Sequence, residues 1–184
     1  MVLFIDSCIR EGSRTKVLAD FLLEKLGQPY KHLYLPSLGL QPLNKERLEK
    51  RMALLQEGKT SGPLFDLAHE FASADTIVIA APFYDLGFPA LLKIYLENVY
   101  IIGVTSVYQE NGMPKGLCKA RDLYYVATSG GPFDPRFSFD YVKNLAQVCF
   151  GIPSVHLFKA EFLDVVGADV PAIMEAAKQE IMKL

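Results

Sequence analysis

The 184-residue chain has no tryptophan, only three cysteines and only three histidines, and each scarcity excludes a kind of chemistry. Cys8, Cys118 and Cys149 are odd in number and far apart, without C-x-x-C or histidine spacing, so neither a disulfide framework nor a metal site is written in them. Charge of one sign is nowhere concentrated. Nineteen Lys plus Arg against 21 Asp plus Glu leave a net charge of -2. Without a basic block the chain has no means of tracking a phosphate backbone, and we expect no nucleic-acid partner. No apolar run approaches the roughly 20 residues of a bilayer span. The opening "MVLFIDSCIR" places its first base after its apolar stretch, the reverse of a signal peptide. The expectation is a cytoplasmic chain with no membrane association. Repeats, low-complexity tracts and linkers are missing too, so residues 1–184 read as one domain with a sizeable core.

What is present is an alternation of apolar runs with helical periodicity. "VLFID" (2–6) reads as a strand, after which Val17, Leu18, Phe21, Leu22 and Leu26 recur at helical spacing until Gly27. "YKHLYL" (30–35) reads as a second strand, followed by a punctuated loop at 36–43, a solvated charged helix over 44–58 and a helix over 63–73. The unbroken run "DTIVIAAPF" (75–83) suits a strand buried on both faces. A helix over 89–102 opens on Pro89, a fourth strand lies within 120–131, a helix spans 136–149, a fifth strand covers 152–160 and a last helix 169–183. Such alternation predicts an α/β fold, a doubly wound five-stranded parallel sheet with helices on both faces and ligands at the carboxyl ends of its strands.

Three loops fall at those ends: 7–15, 82–87 and 128–133. In the first, Ser7, Ser13 and Thr15 stand where a helix begins, and backbone N–H groups at a helix start are unpaired and partially positive, which suits a phosphate. Ser13 also fits as a plain N-cap. Arg10 and Arg14 have the chemistry to pair with phosphate; Arg10 equally fits as a brace through a carboxylate and is kept out of the direct ligands. His32 and His156 in strands, His69 on a helix and Cys8 read as structural or solvated.

The spacing Ser7, Arg10, Ser13, Thr15, Leu18 resembles the phosphate loop of flavodoxin-like FMN reductases, in particular the FMN-dependent NADH azoreductases and NAD(P)H:quinone oxidoreductases. "ADTIVIAAPFYDLGFPALLKIYLENV" is similar to the azoreductase stretch that ends in a Pro-Met-Tyr-Asn-Phe-like turn before a Leu-Lys helix. "GVTSVYQENGMPKGL" (103–117) resembles the hairpin-like insertion of that family, and "TSGG" (128–131) its Ser-Arg-Gly-Gly flavin loop. The likeness runs in order over residues 1–160. Asp85 stands where the family usually has Asn, and Ser129 where it often has Arg.

The resemblance implies the flavodoxin-like strand order 2-1-3-4-5 and FMN as cofactor, with NADH or NADPH as co-substrate and a quinone or aromatic azo compound as acceptor. It implies cofactor contacts from Ser7, Ser13, Arg14 and Thr15 at the phosphate, and from Pro82, Phe83, Tyr84, Asp85, Leu86, Thr128, Ser129, Gly130 and Gly131 around the ring. Tyr84, Tyr108 and Phe133 then wall the substrate pocket, Tyr108 across a homodimer seam. No side chain is needed as acid, base or nucleophile, since the hard chemistry belongs to the flavin. A serine hydrolase built on "FIDS" lacks the Asp-x-x-His it would need. A flavodoxin-like electron carrier or FMN-binding sensor stays open as the alternative. The aromatic wall and the insertion favour turnover.

Overall fold

A computed structural model describes residues 1–184. Its centre is a parallel sheet in the order β2-β1-β3-β6-β7, formed by β1 (Val2–Asp6), β2 (Tyr30–Tyr34), β3 (Thr76–Ala80), β6 (Asp122–Thr128) and β7 (Ser154–Ala160). With the two short hairpin strands β4 (Ser106–Tyr108) and β5 (Pro114–Gly116) set apart, this is the expected order. β1 is buried at every residue because helices cover both faces, whereas edge strand β2 buries only Leu33. Asp6 pairs with Ala80, Ala80 with Val126, and Thr128 with Ala160. The carboxyl ends therefore lie along one edge, and the loops after β1, β3, β6 and β7 leave from it together.

On one face α1 (Arg14–Leu26) and α6 (Val170–Met182) pack over Val2, Phe4, Val78 and Val126. On the other, α3 (Asp66–Ser73), α4 (Ala90–Val99) and α5 (Phe139–Asn144) pack over Leu3, Ile5, Ile77, Ile79 and Tyr125. Gly27 ends α1 at φ 60°, and its N–H returns to the Leu23 and Glu24 carbonyls. The charged helix expected over 44–58 is α2 (Lys45–Gln56); it buries no residue, though Leu54 and Leu55 rest against the core.

Three expected elements are corrected. β3 ends at Ala80 rather than 83: Ala81 and Phe83 still donate to Val126 and Thr128, but Pro82 has no N–H and the chain peels away. The helix expected over 89–102 closes at Val99, where Thr105 turns back to bond the Val99 carbonyl at 2.8 Å. The continuous helix expected over 136–149 is a 3₁₀ turn (Pro135–Phe137), then α5, then a π-helical turn (Leu145–Phe150). The cause is tertiary. Gly116 of the β4–β5 hairpin lies against the backbone of Phe150 and Gly151 so closely that a Cβ there would overlap it, and Cys118 N–H donates to the Phe150 carbonyl at 3.2 Å. No helix is long and apolar enough to cross a membrane.

Candidate functional site

The loop after β1 is fixed from beneath by buried polar groups. Asp6 has no exposure; its Oδ1 accepts from the Cys8 N–H at 2.9 Å, and its Oδ2 lies 3.1 Å from His32 Nε2. Ser7 is also fully buried, and its Oγ donates to the Ala80 carbonyl at 2.7 Å. Burial pushes the Cys8 thiol up to about 12, so it stays neutral. Gly12 at φ 68° turns the chain into α1. There Ser13 Oγ accepts from Lys16 N–H at 3.4 Å, a long N-cap bond. The N–H groups of Ser13, Arg14 and Thr15 donate to nothing in the protein. A fan of three free amides results at a helix N-terminus.

The loop after β3 is a two-residue turn. Tyr84 and Gly87 exchange N–H···O bonds at 2.8 and 2.7 Å. Between them Asp85 (φ 49°) and Leu86 (φ 65°) both take left-handed backbone, the type I′ geometry that Asn-Gly would fill with least strain. Both are exposed and neither N–H is paired. The preceding Phe83 ring meets Phe133 at a centroid distance of 4.8 Å. Burial raises the Tyr84 phenol above its usual range, so it remains a donor.

The loop after β6 is clasped by the segment that follows β7. Ser129 N–H donates to Ala160; Phe162, Leu163 and Asp164 donate to Gly131, Ser129 and Gly130 at 3.1, 3.2 and 3.0 Å. This leaves the N–H groups of Gly130 and Gly131 free. Arg14 closes the ring: its Nη1 donates to the Leu163 carbonyl at 3.0 Å and its Nη2 to Asp164 Oδ1 at 2.7 Å.

Where the three loops meet there is a cavity of about 320 Å³ lined by 10–15, 82–84, 128–130 and Asp164. Of the residues singled out in the sequence, it brings together Ser13, Arg14, Thr15, Pro82, Phe83, Tyr84, Thr128, Ser129 and Gly130. Gly131, Phe133, Asp85 and Leu86 stand beside it rather than on its wall. One expected position is corrected. Ser7 does not reach the cavity, because Ala80 takes its hydroxyl proton beneath the loop. Tyr108, expected across a dimer seam, is 60% exposed on β4 beside Tyr100 and Cys149 and does not line this cavity. Arg10, which the sequence left out of the direct ligands, lines the cavity, as do Glu11, Gly12 and Asp164, which it did not single out. A larger and more open groove of about 610 Å³ lies on the other side of the same loop, between α1 and β2. It includes neither the β3 nor the β6 loop, so only the smaller cavity joins all three.

Free amides at the start of α1, a turn after β3 and glycine amides after β6, all at the carboxyl edge of a 2-1-3-4-5 sheet, define a flavodoxin-type mononucleotide site. A family model described as "Flavodoxin-like fold" matches residues 1–184. An FMN-dependent NADH:quinone oxidoreductase of Lachnoclostridium phytofermentans is 33% identical over 97% of this chain and 94% of its own. One of Coprothermobacter proteolyticus is 33% identical over 77% and 73%. The crystal structure of an FMN-dependent NADH-azoreductase from Bacillus anthracis in complex with FMN superimposes with a TM-score of 0.82 at 20% identity, covering 99% of this chain and 95% of that one. The chain belongs to the flavodoxin-like family that includes the FMN-dependent NADH:quinone oxidoreductases.

Proposed function

We propose that this chain is an FMN-dependent oxidoreductase that takes electrons from NADH or NADPH and delivers them to a quinone or aromatic azo compound. The observation that supports it best is the set of unpaired backbone donors. Ser13, Arg14 and Thr15 offer three N–H groups at one end of the cavity, and Gly130 and Gly131 offer two at the other. Such donors are unpaired in the protein alone and match an anion at one end and ring carbonyls at the other. Gly131 has open space around the position of a Cβ, as a backbone that must lie flat against a planar ligand requires. The residues present fit FMN.

When bound, FMN supplies the redox chemistry, accepting a hydride from the nicotinamide and passing it to the acceptor in a second half-reaction. The protein places and shields. The α1 amides and the Ser13 and Thr15 hydroxyls hold the phosphate, with Arg14 beside them. Thr128, Ser129 and the free glycine amides face the pyrimidine end, and the Pro82–Leu86 turn borders the ring. Phe83, Tyr84 and Phe133 offer an apolar wall for a flat aromatic acceptor. No side chain is asked to act as a base. Among the electron carriers kept open above, none would need this wall, and relatives with enzymatic names favour turnover.

We also propose that residues 1–184 form one FMN-binding domain that works as a two-fold homodimer in the cytoplasm. Tyr108 projects from a hairpin outside the main sheet and does not line the candidate site of its own chain, which supports a role at the partner's site. Next to it, Leu48, Met52, Leu55, Tyr100 and Ile102 line an apolar groove of about 410 Å³ suited to burial between subunits. The three cysteines are all free thiols, which suits a reducing compartment. The test is NADH oxidation by the purified protein with FMN and a soluble quinone: turnover that needs both supports the reading. Binding of FMN without NADH oxidation would leave a carrier. Light scattering showing a fully active monomer would end the dimer.

A further inference from the structure

We propose that Asp164 is a cofactor-binding residue whose carboxylate accepts hydrogen bonds from the hydroxyls of the ribityl chain that joins the flavin ring to its phosphate. The inference rests on the FMN reading above and adds a ligand outside every loop the sequence motifs mark.

Asp164 belongs to the segment after β7, yet it lies on the wall of the cavity between the two ends already described. At one side its Oδ1 accepts from Arg14 Nη2 at 2.7 Å, in the first turn of α1. At the other its backbone N–H donates to the Gly130 carbonyl at 3.0 Å, and its Oδ2 sits where a Cβ on residue 130 would be. The carboxylate thus spans from the phosphate end to the ring end. Oδ2 accepts no hydrogen bond from the protein, while the Arg14 guanidinium, itself held by the Leu163 carbonyl, fixes the side chain.

An ionised carboxylate only accepts hydrogen bonds. It would repel the phosphate and the carbonyl oxygens of the ring. The ribityl hydroxyls are the donors FMN offers between those two ends, so they are what a carboxylate on the wall between Arg14 and Gly130 selects. Arg14 offsets the negative charge and keeps it from opposing the phosphate nearby. The same relation explains why Gly130 is glycine although its φ is not positive: the space belongs to Asp164.

The test compares FMN with an analogue carrying a plain 5-phosphopentyl chain, which keeps ring and phosphate but has no chain hydroxyls. Both are titrated by flavin fluorescence against the wild type, Asp164→Ala and Asp164→Asn. Loss of a charge-assisted hydrogen bond should weaken FMN binding by about tenfold or more in Asp164→Ala and by less in Asp164→Asn, which still accepts. The phosphopentyl analogue should bind wild type and variants alike. Equal losses for both ligands would reduce Asp164 to a clasp that shapes the loop, and no loss for either would remove it from the site; each outcome overturns the inference while leaving the FMN reading intact. Failure of the wild type to bind FMN would overturn both.

Discussion

Thr15 Oγ1 and Thr128 Oγ1 lie 2.6 Å apart, both buried, and join the first turn of α1 to the end of β6 across the intervening strand β3. The α1 end and the β6 end of the cavity are thus one braced unit. One Thr15 lone pair or proton is committed to this pair, so in the proposed site Ser13 and the free amides would carry more of the anion. Thr15→Val leaves Thr128 short of a buried partner and should lower stability by about 1–3 kcal/mol, read as the shift of a urea midpoint.

Ser13→Ala combined with Thr15→Ala should weaken FMN binding by at least about tenfold, since hydrogen bonds to a charged group contribute roughly 1.5–3 kcal/mol each. Riboflavin, which has no phosphate, should lose little. An equal loss for both ligands in a fluorescence titration would mean that the substitutions only uncap the helix.

The two neighbouring glycines make opposite tests. Gly131→Ala meets no protein atom, so its stability should stay within about 0.5 kcal/mol of wild type, and FMN affinity should fall if Gly131 lies against the flavin as proposed. Gly130→Ala collides with the Asp164 carboxylate and should destabilise the protein itself by about 1–3 kcal/mol. Adding Asp164→Ala should restore most of that loss. If thermal denaturation shows no rescue, the clash lies elsewhere.

Asp85 and Leu86 hold left-handed backbone in a turn that Asn-Gly would satisfy more cheaply, and Leu86 stays 63% exposed while doing so. The double substitution Asp85→Asn, Leu86→Gly should therefore stabilise the protein by about 1 kcal/mol or more. If the turn borders the flavin as proposed, the same variant raises the FMN midpoint potential by some tens of millivolts, because a carboxylate close to a reduced, anionic ring disfavours reduction. A redox titration giving equal potentials would place Asp85 outside the ring's field.

Burial raises the thiols of Cys8 and Cys118 from 9.0 to about 12. The unfolded chain therefore releases these protons first as the pH rises. The stabilisation is fully present below about pH 9 and is lost progressively as the pH climbs towards 12. Denaturation midpoints should fall across that window, and less steeply in Cys8→Ser with Cys118→Ala; parallel curves would contradict the assignment.

The sheet was legible because β1, β3 and β6 are buried on both faces and so write apolar runs, and because Gly27 and the Ser13–Thr15 cluster mark the ends of α1 in local chemistry. What was not legible depends on contacts distant in sequence. The widening of α5 into the π-helical turn lies against Gly116 of the hairpin, a contact which no helical periodicity records. Ser7 looks like a phosphate ligand by spacing, and only the pairing of β1 with β3 shows that the Ala80 carbonyl takes its proton. Asp164 belongs to no motif and enters the cavity through the pairing of Thr128 with Ala160, which brings the chain after β7 onto the loop after β6.

The most direct test is steady-state oxidation of NADH by the purified, FMN-loaded protein, with NADH and a quinone varied together. The account predicts turnover that depends on both, with parallel double-reciprocal lines as a two-half-reaction cycle gives. Tight FMN binding with no NADH oxidation, or NADH oxidation indifferent to added FMN in protein stripped of flavin, would contradict it.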